Sequence, residues 1–256
     1  MVIISIANQK GGVSKTTTTQ TLATLLNNQD KKTLVVDLDP QGNLSFAIGA
    51  NIEDAPTIYN VLKGELDLKD ILQHTASSDI LPSNILLSGA DTEFTSTGRE
   101  YLLKEALQSL STQHDYDYII IDCPPSLSIL TINAFAASDY IIIPSLADVF
   151  SLQGMSQLNN TIQSVKKYCN PDLKVAGILL TRFNQRTNLS NHIKNTLEEI
   201  TKQMETKLFK TCIRNSISTQ EAQLQQENIL NYDKKSTTVI DYENFLIELE
   251  ETINVK

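Results

Sequence analysis

The chain has 256 residues, 41% of them hydrophobic, enough for one large α/β domain with a substantial core. A net charge of −9 argues against a uniformly basic nucleic-acid binder, and no apolar run approaches the about 18 residues of a membrane span. Three scattered cysteines without a Cys-x-x-Cys pair, Cys123, Cys169 and Cys212, exclude a disulfide framework and suit a reducing cytoplasm; no basic leader precedes the first strand, so no signal peptide is expected.

In chain order, the apolar run at residues 2–7 predicts a buried strand, and Leu22, Leu25 and Leu26 are spaced for one face of a following helix. Between them lies Asn8-Gln9-Lys10-Gly11-Gly12-Val13-Ser14-Lys15-Thr16-Thr17. Strand, glycine-rich turn and helix are the context of a phosphate-binding loop, where backbone N–H groups crowd around phosphate oxygens at a helix N-terminus. Lys15 would reach β- and γ-phosphate oxygens and Thr16 would ligate Mg²⁺. The usual pattern asks for glycine where Gln9 and Ser14 stand, and a second lysine, Lys10, precedes the glycines. A short strand at residues 33–36 then ends in Asp37-Leu38-Asp39-Pro40-Gln41-Gly42-Asn43. Carboxylates at a strand's carboxyl end fall at the crevice where open α/β sheets bind ligands. Alternation places Asp37 and Asp39 on one side, one for the metal shell and one for the water. Residues 51–100 are broken by Pro56, Gly64, Pro82 and Gly89 into short helices and read as a surface elaboration around a strand at Ile80-Leu81. The run Tyr118-Ile119-Ile120-Ile121-Asp122-Cys123-Pro124-Pro125 is a strand ending in a metal-site aspartate, stopped by two prolines. Further strands at 140–143 and 175–180 alternate with helical patterns, which predicts a doubly wound, mainly parallel sheet flanked by helices. The histidines, His74, His114 and His192, are isolated and receive no role.

Charge is unevenly placed. Residues 166–214 hold ten of the 21 Lys/Arg and four of the 30 Asp/Glu. Within them, Leu189, Ile193, Leu197, Ile200 and Met204 predict an amphipathic helix with its lysines in solvent. The tail at residues 241–251 is amphipathic but acidic, so it should pack on the core and not on anionic lipid.

The loop Lys-Gly-Gly-x-x-Lys-Thr, the run Asp-x-Asp-Pro-Gln-Gly-Asn and the Asp122 strand resemble the ParA/MinD family of deviant Walker A ATPases, over roughly residues 1–250 and closest to partition ATPases without an N-terminal helix-turn-helix. The resemblance implies a single ATPase domain over 1–256 that binds ATP and Mg²⁺ with Lys10, Gly11, Gly12, Val13, Ser14, Lys15, Thr16 and Thr17, and Arg182 near the adenine. Thr16, Asp37 and Asp122 would serve the metal, and Lys10, Lys15 and Asp39 catalysis, with Lys10 crossing to a partner's nucleotide and Asp39 preparing the water. It also implies an ATP-bound homodimer that binds double-stranded DNA without sequence preference, here through Arg186, Lys194, Lys202, Lys210 and Arg214. A centromere-binding partner of the ParB type would stimulate slow hydrolysis and release the dimer, giving plasmid or chromosome segregation by a cytoplasmic, nucleoid-associated protein with no membrane partner. The alternatives are an ATPase of the same fold that positions protein cargo on the nucleoid, and a MinD-like ATPase at the membrane surface.

Overall fold

A computed structural model describes residues 1–110, 116–184 and 188–253. The elements run β1 (Val2–Ile6), α1 (Lys15–Asn28), β2 (Thr33–Asp37), α2 (Asn43–Ile48), α3 (Ile58–Leu62), α4 (Leu68–Ile71), β3 (Gln73–His74), β4 (Asp79–Leu81), α5 (Ala90–Glu93) and α6 (Leu102–Leu110). They continue with β5 (Tyr118–Asp122), α7 (Ile129–Ala137), β6 (Tyr140–Ser145), α8 (Val149–Tyr168), β7 (Lys174–Leu180), α9 (Asn188–Gln203), α10 (Ile217–Leu224), α11 (Ile229–Tyr232) and α12 (Thr237–Ile253). The sheet has seven strands in the order β3-β4-β2-β5-β1-β6-β7, parallel throughout except for β3 against β4.

Alternation along the strands builds two cores. Ile119, Ile121, Leu34, Val36, Ile141 and Ile143 point to one face, under α6, α7 and α8; Ile120, Val35, Ile4, Ile6 and Ile142 point to the other, under α1 and α12. Both faces are apolar because both are covered, as the near-continuous Ile/Val/Leu runs require. The expected acidic tail is α12, with Val239, Tyr242, Phe245, Leu246, Leu249 and Ile253 buried. Phe209 and Phe245 stack edge to face with ring centres 4.8 Å apart. Phe209 fits because residue 177 is glycine: a Cβ there would lie 2.5 Å from its ring. The predicted amphipathic helix is α9, with Ile193 and Leu197 buried.

The expectation for residues 51–100 is corrected. Ile58, Leu62, Leu68, Ile71, Leu87, Ala90 and Phe94 are buried in the first core, so the region covers one end of the sheet. Its helices are too short to show a helical period, and the two-residue β3 leaves no pattern at all.

Parallel register sets the active end. Ile6, Asp37 and Asp122 lie side by side at the carboxyl ends of β1, β2 and β5. The segment after α9 then follows β7 by backbone bonds from Phe209 to Ile178 and from Ile213 to Leu180, which carries residues 213–216 to the same end.

Candidate nucleotide site

The loop after β1 turns through left-handed residues: Gly12 has φ +72° and Ser14 has φ +67°. Ser14 therefore occupies a position where a left-handed backbone favours glycine, which explains the usual glycine there. Among the described residues no side chain caps α1, which leaves the N–H groups of its first turn open to a phosphate. The loop is held from behind: Thr181 donates its hydroxyl to the Val13 carbonyl (3.1 Å), and Asn8 donates to the Pro144 carbonyl (2.7 Å). Val13 itself is fully buried beneath the loop.

Gly11, Gly12, Ser14, Lys15, Thr16, Thr17, Asp39 and Arg182 all line one cavity of about 510 Å³. Its far wall is Arg214, Asn215, Ser216 and, from α10, Thr219, Gln220 and Gln223. The Lys15 ammonium donates to the Lys10 carbonyl (3.1 Å); burial pushes its pKa down, against the pull of Asp122, Cys123 and Asp39. Thr16 donates its hydroxyl to one oxygen of Asp122 (2.7 Å). The other Asp122 oxygen is buried without a hydrogen-bond partner among the described residues. Burial first and the neighbouring Asp37 second push the Asp122 carboxyl well above the ordinary range. An orphaned carboxylate oxygen beside a hydroxyl, at the base of a phosphate-binding loop, fits a divalent cation, which would supply the missing counter-charge.

Asp37 does not fit the metal shell. Its carboxylate accepts from the Ser45 N–H (2.9 Å), the Ser45 hydroxyl (2.7 Å) and the Asp39 N–H (3.0 Å), and it lies outside the cavity lining. The strand ends at Asp37, so alternation fails one residue later: Asp39 faces the cavity while Asp37 is buried beneath it, with its pKa pushed up to about 6 by burial against those bonds. Lys10 does not line its own nucleotide cavity either. Its ammonium pairs with Asp148, the N-cap of α8 (2.5 Å), on a separate groove shared with Gln9, Pro125, Ser151 and Gly154.

Among the described residues, the basic stretch is spread along β7 and beyond it. Lys174 starts β7 and Arg182 follows its other end, about 23 Å away for a seven-residue strand. Arg214, placed in the DNA set from the sequence, lines the nucleotide cavity. Its Nε donates to Asp241 at 2.9 Å and its second guanidinium nitrogen at 2.7 Å, a bidentate pair at the cavity wall. Lys202 and Lys210 are exposed; Arg186 and the side chain of Lys194 lie outside the described residues, as do His114 and the His192 side chain. Sequence reasoning missed Gln223, which donates to the Thr17 hydroxyl (2.8 Å), and the Arg214–Asp241 pair. The motif at residues 210–215 was visible, but not its partner on another helix.

Residues 1–175 match the family model described as an AAA domain. The chain is 42% identical to the sporulation initiation inhibitor protein Soj of Bacillus subtilis over 238 residues, 91% of this chain and 92% of that protein. The chain belongs to the ParA/Soj/MinD family of deviant Walker A ATPases. It is 40% identical to the chromosome partitioning protein ParA of Myxococcus xanthus, covering 91% of this chain and 82% of that one. Among solved structures, a Mycobacterium smegmatis protein described as cobyrinic acid a,c-diamide synthase, with ADP and magnesium bound, superposes with a TM-score of 0.85 at 34% identity over 100% of this chain and 96% of its own. That protein, under a different name, shares the fold of this chain and holds an adenine nucleotide. No helix among the described residues is long and apolar enough to cross a membrane.

Proposed function

We propose that the chain is a DNA-segregation ATPase in which Mg-ATP closes two copies into a dimer that binds DNA without sequence preference. The observation that carries this reading is the division of the two lysines. Lys15 lies in the chain's own cavity, whereas Lys10 sits outside it on the adjoining groove, as contact with a partner's nucleotide requires. The name of the Myxococcus relative, chromosome partitioning protein ParA, supports chromosome partitioning as the task.

Lys15 and the first turn of α1 bind the phosphates, and Thr16 with Asp122 would hold magnesium. When bound, the ion neutralises charge on the phosphate oxygens. Asp39 orients and deprotonates the attacking water, so positioning and charge stabilisation carry most of the rate. Lys10 must leave Asp148 to reach across, which couples dimerisation to a rearranged contact at the start of α8. Dimerisation doubles a weak basic surface, with Lys202 and Lys210, together with Arg186 and Lys194, as its proposed members. A ParB-type partner would stimulate hydrolysis and release the dimer. The whole chain acts as one ATPase unit, cytoplasmic and nucleoid-bound. The buried apolar face of α12 disfavours a MinD-like membrane anchor in that helix.

The test is binding of a long arbitrary duplex with ATP, ADP or no nucleotide across a salt series. ATP-dependent, salt-sensitive binding supports the reading. No binding at low salt, with the ATP-bound dimer confirmed, would remove the DNA surface and leave an ATPase switch acting on protein.

A further inference from the structure

Ser83 follows β4 in the region read from sequence as surface elaboration, yet it is fully buried against the site. Its hydroxyl donates to the Asp39 carbonyl (2.6 Å), which also accepts from the Gly42 N–H (2.9 Å). Its own N–H donates to the Ser45 hydroxyl (2.9 Å), and that hydroxyl donates in turn to Asp37 (2.7 Å). Asp37 closes the circuit by accepting the Asp39 N–H (3.0 Å). Both peptide groups flanking the Asp39 side chain are thus fixed, the N–H from within the motif by Asp37 and the carbonyl from outside it by Ser83. The segments are also in close contact: a Cβ on Gly42 would lie 3.3 Å from the Ser83 carbonyl oxygen.

We infer that Ser83 is a positioning residue for hydrolysis, holding the backbone of Asp39 so that its carboxylate meets the attacking water in one orientation. The inference rests on Asp39 preparing that water. The geometry favours positioning over nucleotide binding, because Ser83 lies outside the cavity lining while Asp39 is part of it. The Ser83 hydroxyl bonds Asp39 at its main chain. Its loss frees a carbonyl that Gly42 still satisfies, so the turn should persist with more freedom. Displacement of a catalytic group by about 1 Å suffices for a large rate loss.

The experiment compares wild type, Ser83→Ala and Asp39→Ala by single-turnover hydrolysis of Mg-ATP and by equilibrium binding of a fluorescent ATP analogue. S83A is expected to bind nucleotide within about twofold of wild type and to hydrolyse about tenfold more slowly, with the loss in the rate constant and not in the half-saturating concentration. A wild-type rate in S83A, with D39A inactive, overturns the Ser83 role alone. Nucleotide affinity falling in parallel with rate makes Ser83 a structural weld and also overturns it. A wild-type rate in D39A refutes the Asp39 reading itself, and that variant identifies which of the two has failed.

Discussion

The phosphate-binding loop and the basic segment at residues 166–214 were both conspicuous in the sequence, but the fold treats them differently. The loop's residues converge on one cavity because strand, turn and helix are contiguous and the geometry is local. Among the described basic residues, Lys174 and Arg182 lie at opposite ends of β7, and Arg214 is paired with an aspartate on a helix 27 residues away. A motif whose partners are its own backbone can be read directly. A charge run cannot, because its partners arrive from elsewhere in the chain.

The sharpest break of that comparison would come from Lys15→Ala, which should lower Mg-ATP turnover by about a hundredfold or more through lost phosphate stabilisation. Near-normal turnover would show that the loop's shape does not determine its use. Arg214→Ala comes next. It should weaken nucleotide binding by about tenfold, because it removes part of the cavity wall and leaves the mostly buried Asp241 without its guanidinium partner, with only the residue 214 N–H remaining. At saturating ATP its DNA affinity should stay near wild type. A DNA loss with intact nucleotide binding would instead return Arg214 to the DNA surface. A Lys202→Glu/Lys210→Glu pair should do the reverse, cutting DNA affinity and flattening the salt slope by about 4 for the dimer, which loses two contacts in each copy, while leaving nucleotide affinity unchanged. Ser14→Gly is the smallest. Relief of its left-handed backbone, offset by the flexibility of glycine, should stabilise the protein by about 0.5–1 kcal/mol, read as a rise of roughly 1–3 °C in Tm. Equal hydrolysis rates for wild type and S14G would show that the Ser14 hydroxyl has no role at the phosphates.

Legibility followed the same division. The parallel sheet was readable because strands buried on both faces are continuous Ile/Val/Leu runs, as at residues 118–121. Lys15, Thr16 and Asp39 reached the cavity as their spacing implied. Asp37 did not, because the chain leaves the strand before the second aspartate and alternation no longer applies. Ser83 was masked by Pro82, which marks a strand end but says nothing of what lies beside it; only the pairing of Val36 with Leu81 puts that end next to Asp39. The Gln223 contact with Thr17 joins residues 206 apart and leaves no local signal.

The central claim is that ATP joins two copies of this chain through the surface that carries Lys10. It is tested most directly by the solution mass of Asp39→Ala, where hydrolysis should be blocked, measured by light scattering with Mg-ATP and with Mg-ADP. The account predicts twice the 28.5 kDa monomer mass with ATP, the monomer with ADP, and the monomer again with ATP once Lys10→Ala is added. A monomer in every state, with ATP binding confirmed, would contradict it.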